Sequence, residues 1–153
     1  MAIDKARKHL KEYKLDDRII EFDDSSATVK EAAERLNCEE KDIVKTLSFL
    51  VGDNPIVICV SGDSRIDNSK YKEEFRTKAK MIPFEDVEKL IGHAVGGVCP
   101  FGINDNVKVY LDESLKKLDT MYPAAGSSNS AVRLNLKELE STLKEYKWVN
   151  VCK

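Results

Sequence analysis

Lys45-Thr46-Leu47-Ser48-Phe49-Leu50-Val51 and Ile56-Val57-Ile58-Cys59-Val60-Ser61 flank the short connection Gly52-Asp53-Asn54-Pro55. In the first run Leu47, Phe49 and Val51 share one parity, as in a strand with one buried face. The second run is apolar on both parities from Ile56 to Val60, which suits a central strand covered on both sides. The four residues between them all favour turns, so the pair reads as a β-hairpin. A hairpin whose second strand is buried on both faces sets the plan of the fold: more strands beside it and helices over it.

Upstream, Ile3, Ala6, Leu10 and Tyr13 recur at helical spacing, and residues 18–22 form a short strand candidate. Thr28 with Glu31 has the capping-box form; it opens a helix through Leu36 with Ala32, Ala33 and Leu36 facing inward. A second short helix is expected over 39–44. Downstream, Asp67-Asn68-Ser69 caps a helix to about Phe75, and 80–82 is a short strand. Residues 84–91 form a short helix, 106–111 a strand and 113–116 a turn of helix. Residues 119–122 and 131–134 are strand candidates. Asn135 caps a final helix over 136–146, and 148–151 is a last edge strand. Short strands and short helices without a regular βαβ period indicate an α+β fold: a mixed, curved, barrel-like β-sheet flanked by helices. No linker, repeat or low-complexity tract divides the chain, so one domain over 1–153 is expected.

The chain has 153 residues, 42% of them hydrophobic and 34% charged, with a formal net charge of −2. That charge argues against non-specific coating of nucleic acid, DNA included, which draws on many neutralised phosphates. It leaves room for a grip on one end of an RNA. No apolar run is long enough to span a membrane, and the first residues lack the apolar core of a signal peptide. Cys38, Cys59, Cys99 and Cys152 are widely spaced, and with His9 and His93 they give no metal-ligand pattern. Neither a metal nor another cofactor is expected, and the place is a reducing cytoplasm.

Common catalytic motifs such as GxSxG, HExxH and GxxxxGK[ST] are absent. Three features remain, each with two readings. Lys45 shares the parity of Leu47 and Phe49, so it is either a positive charge at the mouth of an apolar surface or a strand-end lysine reaching solvent. Gly96-Gly97-Val98-Cys99-Pro100-Phe101-Gly102 can present backbone N–H groups to a carbonyl oxygen, or can be a tight helix–strand connection. Cys99 with His93 offers a thiol and a base, but nothing supplies the orienting third group, and a packed loop cysteine is the simpler reading. Gly126-Ser127-Ser128-Asn129-Ser130 offers small polar groups to a ligand, or simply a good turn. Basic residues gather at Lys70, Lys72, Arg76, Lys78 and Lys80, and along the first helix at Lys5, Lys8, Lys11 and Lys14. Either group could face phosphates or solvent.

In order, these pieces resemble the family of YbaK and the prolyl-tRNA synthetase editing domain. The matching residues are Val44-Lys45-Thr46-Leu47 opening the hairpin, the loop 96–102, Val109-Tyr110-Leu111-Asp112, and a glycine-serine loop before the last strand and helix. The resemblance runs from about Phe22 to Leu143. It implies a hydrolase, an aminoacyl-tRNA deacylase that cleaves the ester of mischarged tRNA in trans. The substrate would be tRNA for proline, or another tRNA carrying a small wrong amino acid. Lys45 matches the family's lysine at the terminal adenosine, and Gly96 and Gly97 begin the Gly-x-x-x-Pro loop that holds the aminoacyl group. Val98, Cys99, Pro100 and Phe101, with Gly126, Ser127 and Ser128, would then line the substrate. The partners implied are the acceptor end of an aminoacylated tRNA and a synthetase, with no covalent enzyme intermediate. One departure stands out. Where YbaK-like members have Ser-Gly-Gly followed by basic and then acidic residues, this chain has Ala124-Ala125-Gly126-Ser127-Ser128-Asn129-Ser130-Ala131. The amino acid removed is therefore left open, and a non-catalytic tRNA-end-binding or regulatory module is the alternative.

Overall fold

The computed structural model describes residues 2–24, 26 and 28–153. Its helices are α1 (Ala2–Lys11), α2 (Val29–Leu36), α3 (Asn68–Phe75), α4 (Val87–Ile91) and α5 (Leu136–Ser141). Its strands are β1 (Ile19–Glu21), β2 (Ile43–Val51), β3 (Asn54–Ser61), β4 (Lys108–Asp112), β5 (Tyr122–Pro123), β6 (Ser130–Val132) and β7 (Lys147–Val149).

The hairpin is where the sequence puts it. β2 and β3 pair antiparallel with Lys45 opposite Val60, Leu47 opposite Ile58 and Val51 opposite Asn54, leaving Gly52 and Asp53 as the turn. β3 lies in the middle of a five-stranded sheet of order β5-β2-β3-β4-β7. Every residue of it after Asn54 is buried, as its two-sided apolar pattern demands. β4 pairs parallel to β3, β7 parallel to β4 and β5 parallel to β2. β1 and β6 form a separate antiparallel ribbon, joined to the β5 side through the bridges Met121 to Leu134 and Ala124 to Ala131. The fold is thus mixed, with helices over the sheet. The mixed sheet flanked by helices is as expected, and it is not closed.

Opposed residues in a β-ladder share a face, so the register sorts the core in two. On one face Phe49, Ile56, Ile58 and Val60 pack with Tyr71 of α3, while Leu47 and Phe75 lie partly buried against them. The rings of Phe49 and Tyr71 are centred 5.1 Å apart, and Phe75 meets Tyr110 edge-on at 5.0 Å. On the other face Val44, Val57, Cys59 and Leu111 pack with Ala6 and Leu10 of α1, Ile91 of α4, Leu139 of α5 and Phe101.

Helix ends follow local chemistry. Thr28 caps α2 by accepting from the Glu31 N–H at 3.1 Å, Asp67 caps α3, and Asn135 with Glu138 closes both arms of a capping box. Several boundaries differ from expectation because their partners are remote in sequence. Residues 39–44 hold only a 3-10 turn, Glu40–Asp42, since Ile43 and Val44 are drawn into β2 by Tyr122 and Pro123. The strand expected at 80–82 is a single bridge, Met81 to Phe49, and 84–91 divides into a 3-10 turn and α4. The last helix stops at Ser141 instead of reaching 146. There the chain folds back, with Tyr146 and the Trp148 indole N–H both donating to the Glu140 carboxylate. Among the described residues no helix is long and apolar enough to cross a membrane.

Ile58 is fully buried in the centre of β3. Ile58→Ala should lower the unfolding free energy by ~2–5 kcal/mol. Ile20→Thr, at a site 37% exposed, should change it by less than ~1 kcal/mol. Urea denaturation of the two variants measures the difference.

Candidate functional site

β2 is covered along its outer edge only in part. β5 pairs with it at Ile43 and Val44. Farther on, the Leu50 N–H donates to the Lys80 carbonyl at 2.9 Å and the Ile82 N–H to the Ser48 carbonyl at 3.2 Å. Between these two patches lies a cavity of about 480 Å³, and Lys45, Thr46 and Leu47 form its floor. Val29, Ala32 and Leu36 of α2 supply one wall, and Val95, Gly96 and Val98 another. Ser127, Ser128, Ser130 and Ala131 complete it. The inward face read for α2 is thus partly a cavity wall: Ala33 is buried, while Ala32 and Leu36 border the opening.

Lys45 stands on the face of Leu47 and Phe49, as its parity requires. Its ammonium donates to the backbone carbonyl of Ser64, in the turn after β3. Burial pushes its pKa below the ordinary lysine value, with Arg65 adding to the fall and Cys152 and Asp63 opposing it. The side chain is half-buried, so it is a cation held at the boundary between apolar surface and solvent.

The two small-residue loops touch. A Cβ on Gly97 would lie 2.6 Å from both the Gly126 carbonyl carbon and the Ser127 nitrogen. Only glycine permits that approach, which brings backbone against backbone. Gly96 lies at a φ of +96° and borders the cavity beside Ser128. The Gly97 N–H is occupied, donating to the Ala94 carbonyl at 3.0 Å.

The late loop is knitted internally: the Ser127 hydroxyl donates to the Asn129 side chain at 2.8 Å and lies 2.7 Å from the Ser130 hydroxyl. It is also tied to the chain before α2. The Ser26 N–H donates to the Ser128 carbonyl at 2.7 Å, the Phe22 N–H to the Asn129 carbonyl at 2.9 Å, and the Asn129 amide to the Phe22 carbonyl at 3.1 Å.

Of the residues singled out in the sequence, Lys45, Gly96, Val98, Ser127 and Ser128 meet on this cavity. Gly97, Cys99, Pro100, Phe101 and Gly126 lie behind it and are buried. Burial raises the Cys99 thiol to about 12, which removes it as a nucleophile near neutral pH. His93 is also buried, with its Nε2 2.6 Å from the Phe101 carbonyl and 3.5 Å from Cys99 Sγ. Desolvation lowers its pKa. The Cys99–His93 pair is therefore a packed, neutral contact inside the loop. Among the described residues no group of three or more His, Cys, Asp or Glu could hold a metal ion.

The structure adds residues that the sequence reading passed over. Met81, Phe84 and Val95 line the cavity while being 60%, 76% and 48% exposed. Phe84 follows Pro83 directly, and an isolated aromatic in a polar turn was the available signal. The Ser64 carbonyl that holds Lys45 could not have been found from residue type, since a backbone group carries no signature.

Two outcomes follow. A thiol reagent applied to the native protein should leave Cys99 unmodified while reaching the partly exposed Cys38, as peptide mass spectrometry would reveal. Gly97→Ala should destabilise the protein by ~1–3 kcal/mol through overpacking, read from thermal or urea melts.

The family model for the aminoacyl-tRNA editing domain matches residues 23–142. An uncharacterized protein of Bacillus subtilis (strain 168), YwhH, is 42% identical over 154 residues, covering 100% of this chain and 98% of that protein. A proline–tRNA ligase of Caldicellulosiruptor saccharolyticus is 26% identical over 117 residues, which make up 75% of this chain but 20% of the ligase. A crystal structure described as a candidate trans-editing enzyme for prolyl-tRNA synthetase superposes with a TM-score of 0.89 at 27% identity, covering 99% of this chain and 97% of that one.

Proposed function

The chain belongs to the aminoacyl-tRNA editing-domain family, and from that premise we propose that it is a hydrolase acting in trans on mischarged tRNA. The bond cleaved is the ester between a small wrong amino acid and the terminal ribose. The likeness to proline–tRNA ligases makes tRNA for proline the first substrate to try and a synthetase the natural docking partner. The cytoplasm, where charged tRNA is used, is the proposed location. One observation carries the reading: Lys45, Gly96, Val98, Ser127 and Ser128 meet on a single cavity.

An aminoacyl ester is already activated and needs little general-base assistance. Holding its carbonyl beside a water, or beside the neighbouring ribose hydroxyl, can supply several kcal/mol by positioning. Each backbone donor aimed at the developing oxyanion adds roughly 3 kcal/mol. Pro100 has no N–H, and that of Gly97 is bonded to Ala94. We therefore assign the oxyanion to the Gly96 and Val98 N–H groups. The Lys45 ammonium, held against a single carbonyl, serves as the fixed cation for the terminal adenosine. Ser127 and Ser128 face the aminoacyl group. Water adds to the carbonyl carbon, the ester C–O bond breaks, and the free amino acid leaves the ribose hydroxyl behind.

A second reading is a tRNA-end-binding module without turnover. The observation behind it is the late loop, whose hydroxyls bond one another where related proteins place charged groups. A panel of alanyl-, cysteinyl-, seryl- and threonyl-tRNA separates the two. Hydrolysis of at least one is expected, with a loss of about 100-fold or more in Lys45→Ala. Binding without release across the panel would favour the module, and full activity in a folded Lys45→Ala would remove that residue from the mechanism.

A further inference from the structure

The basic stretch 70–80 plays no part in the hydrolysis described above, and in the fold it divides in two. Within α3, Lys70 donates to the Cys152 carbonyl at 2.8 Å, and Glu74 pairs with Lys147 at 3.7 Å. Beyond the helix the pattern changes. Arg76, Lys78 and Lys80 are all exposed, and among the described residues none of them forms an ion pair. No acidic residue interrupts Arg76-Thr77-Lys78-Ala79-Lys80-Met81-Ile82-Pro83-Phe84.

This segment is pinned in place. Ala79 packs against the core under α3, and the hydrogen bonds from Leu50 to Lys80 and from Ile82 to Ser48 dock its backbone on the outer edge of β2. It then arrives at the cavity mouth with Met81 60% and Phe84 76% exposed. Among the described residues, three of the five exposed large hydrophobic ones, Met81, Phe84 and Val95, stand on that one rim. A row of exposed cations without ion pairs thus leads to an exposed aromatic ring at the cavity mouth. A strand of phosphates bearing flat bases matches both halves at once: charge along the row, and stacking at its end. An acidic peptide would answer the cations but would have no use for the platform.

We propose that residues 76–84 are the track for the single-stranded 3′ end of tRNA, with Arg76, Lys78 and Lys80 facing its phosphates. Phe84 stacks on a base at the cavity mouth, beside Met81. This rests on the cavity being a tRNA-end site, and it adds the surface by which the nucleic acid is gripped outside the site of ester cleavage.

Binding of uncharged tRNA, measured by fluorescence anisotropy across a salt series, tests the track independently of turnover. Arg76→Gln/Lys78→Gln/Lys80→Gln should weaken binding and make the slope of log affinity against log salt shallower by about 2. The charge-matched control Lys8→Gln/Lys11→Gln/Lys14→Gln on and just after α1 should leave the slope unchanged. Phe84→Ala should weaken binding about 5- to 150-fold, with Phe84→Leu no better and Phe84→Trp restoring it. In deacylation assays the same variants should raise KM while keeping kcat. Wild-type protein that binds tRNA with this pattern yet hydrolyses no charged tRNA would defeat the catalytic reading and leave the track standing. Wild-type protein that does not bind tRNA, or a folded triple variant with unchanged affinity and slope, would overturn the track. Phe84→Leu binding as tightly as wild type would overturn stacking and point instead to an apolar protein contact.

Discussion

The cavity exists because two loops approach each other closer than any side chain permits. Gly97 lies against Gly126 and Ser127 with no room for a methyl group, and that contact sets the spacing of Gly96 and Val98 from Ser127 and Ser128. Buried groups brace it from behind. The Cys99 thiol is within reach of the Phe101 carbonyl at 3.6 Å, and the Gly102 N–H donates to His9 Nδ1 at 3.0 Å, fastening the loop to α1. Residues that look reactive on paper, a cysteine and a histidine six positions apart, are structural supports for a surface made of backbone. The open part of the cavity carries hydroxyls, one ammonium and backbone groups, and neither a cysteine nor a histidine lines it.

Lys45 obeys the same constraint from the opposite side. Its place on β2 is fixed by the ladder to β3, where it faces Val60, and its head is fixed by the Ser64 carbonyl. Neither contact is ionic. A cation held by one carbonyl dipole and partly desolvated keeps most of its field for whatever anion or oxygen enters.

How much of this was legible in the sequence depends on whether the deciding contact is local. The hairpin, the central place of β3 and the caps at Thr28, Asp67 and Asn135 were all readable, because turn residues, parity and capping chemistry act over a few positions. The family resemblance was readable too, from Lys45 and the loop 96–102 in order. The boundaries at 39–44 and 136–146 were not, since Tyr122 and Pro123 decide the first and a fold-back onto Glu140 decides the second. The mixed sheet flanked by helices was legible as well, while its open edge at β7 depends on contacts remote in sequence. Within the site, residue type located the two loops but could not separate Gly96, which borders the cavity, from Gly97, which packs behind it. That difference arises from one loop leaning on another about thirty residues away.

The central strand has a further consequence, during synthesis of the chain. Ile56-Val57-Ile58-Cys59-Val60 is uncharged, rich in β-branched residues and free of proline, the profile of a segment prone to stack with copies of itself. β2 shields one edge of it at once, across a two-residue turn. The other edge waits for β4, which begins only at Lys108. Until then a nascent chain carries a half-paired strand, with one edge open. Pro55 at its start and Asp63 just past its end act as gatekeepers. The apolar run that buries β3 in the native fold is thus an aggregation hazard on the way there.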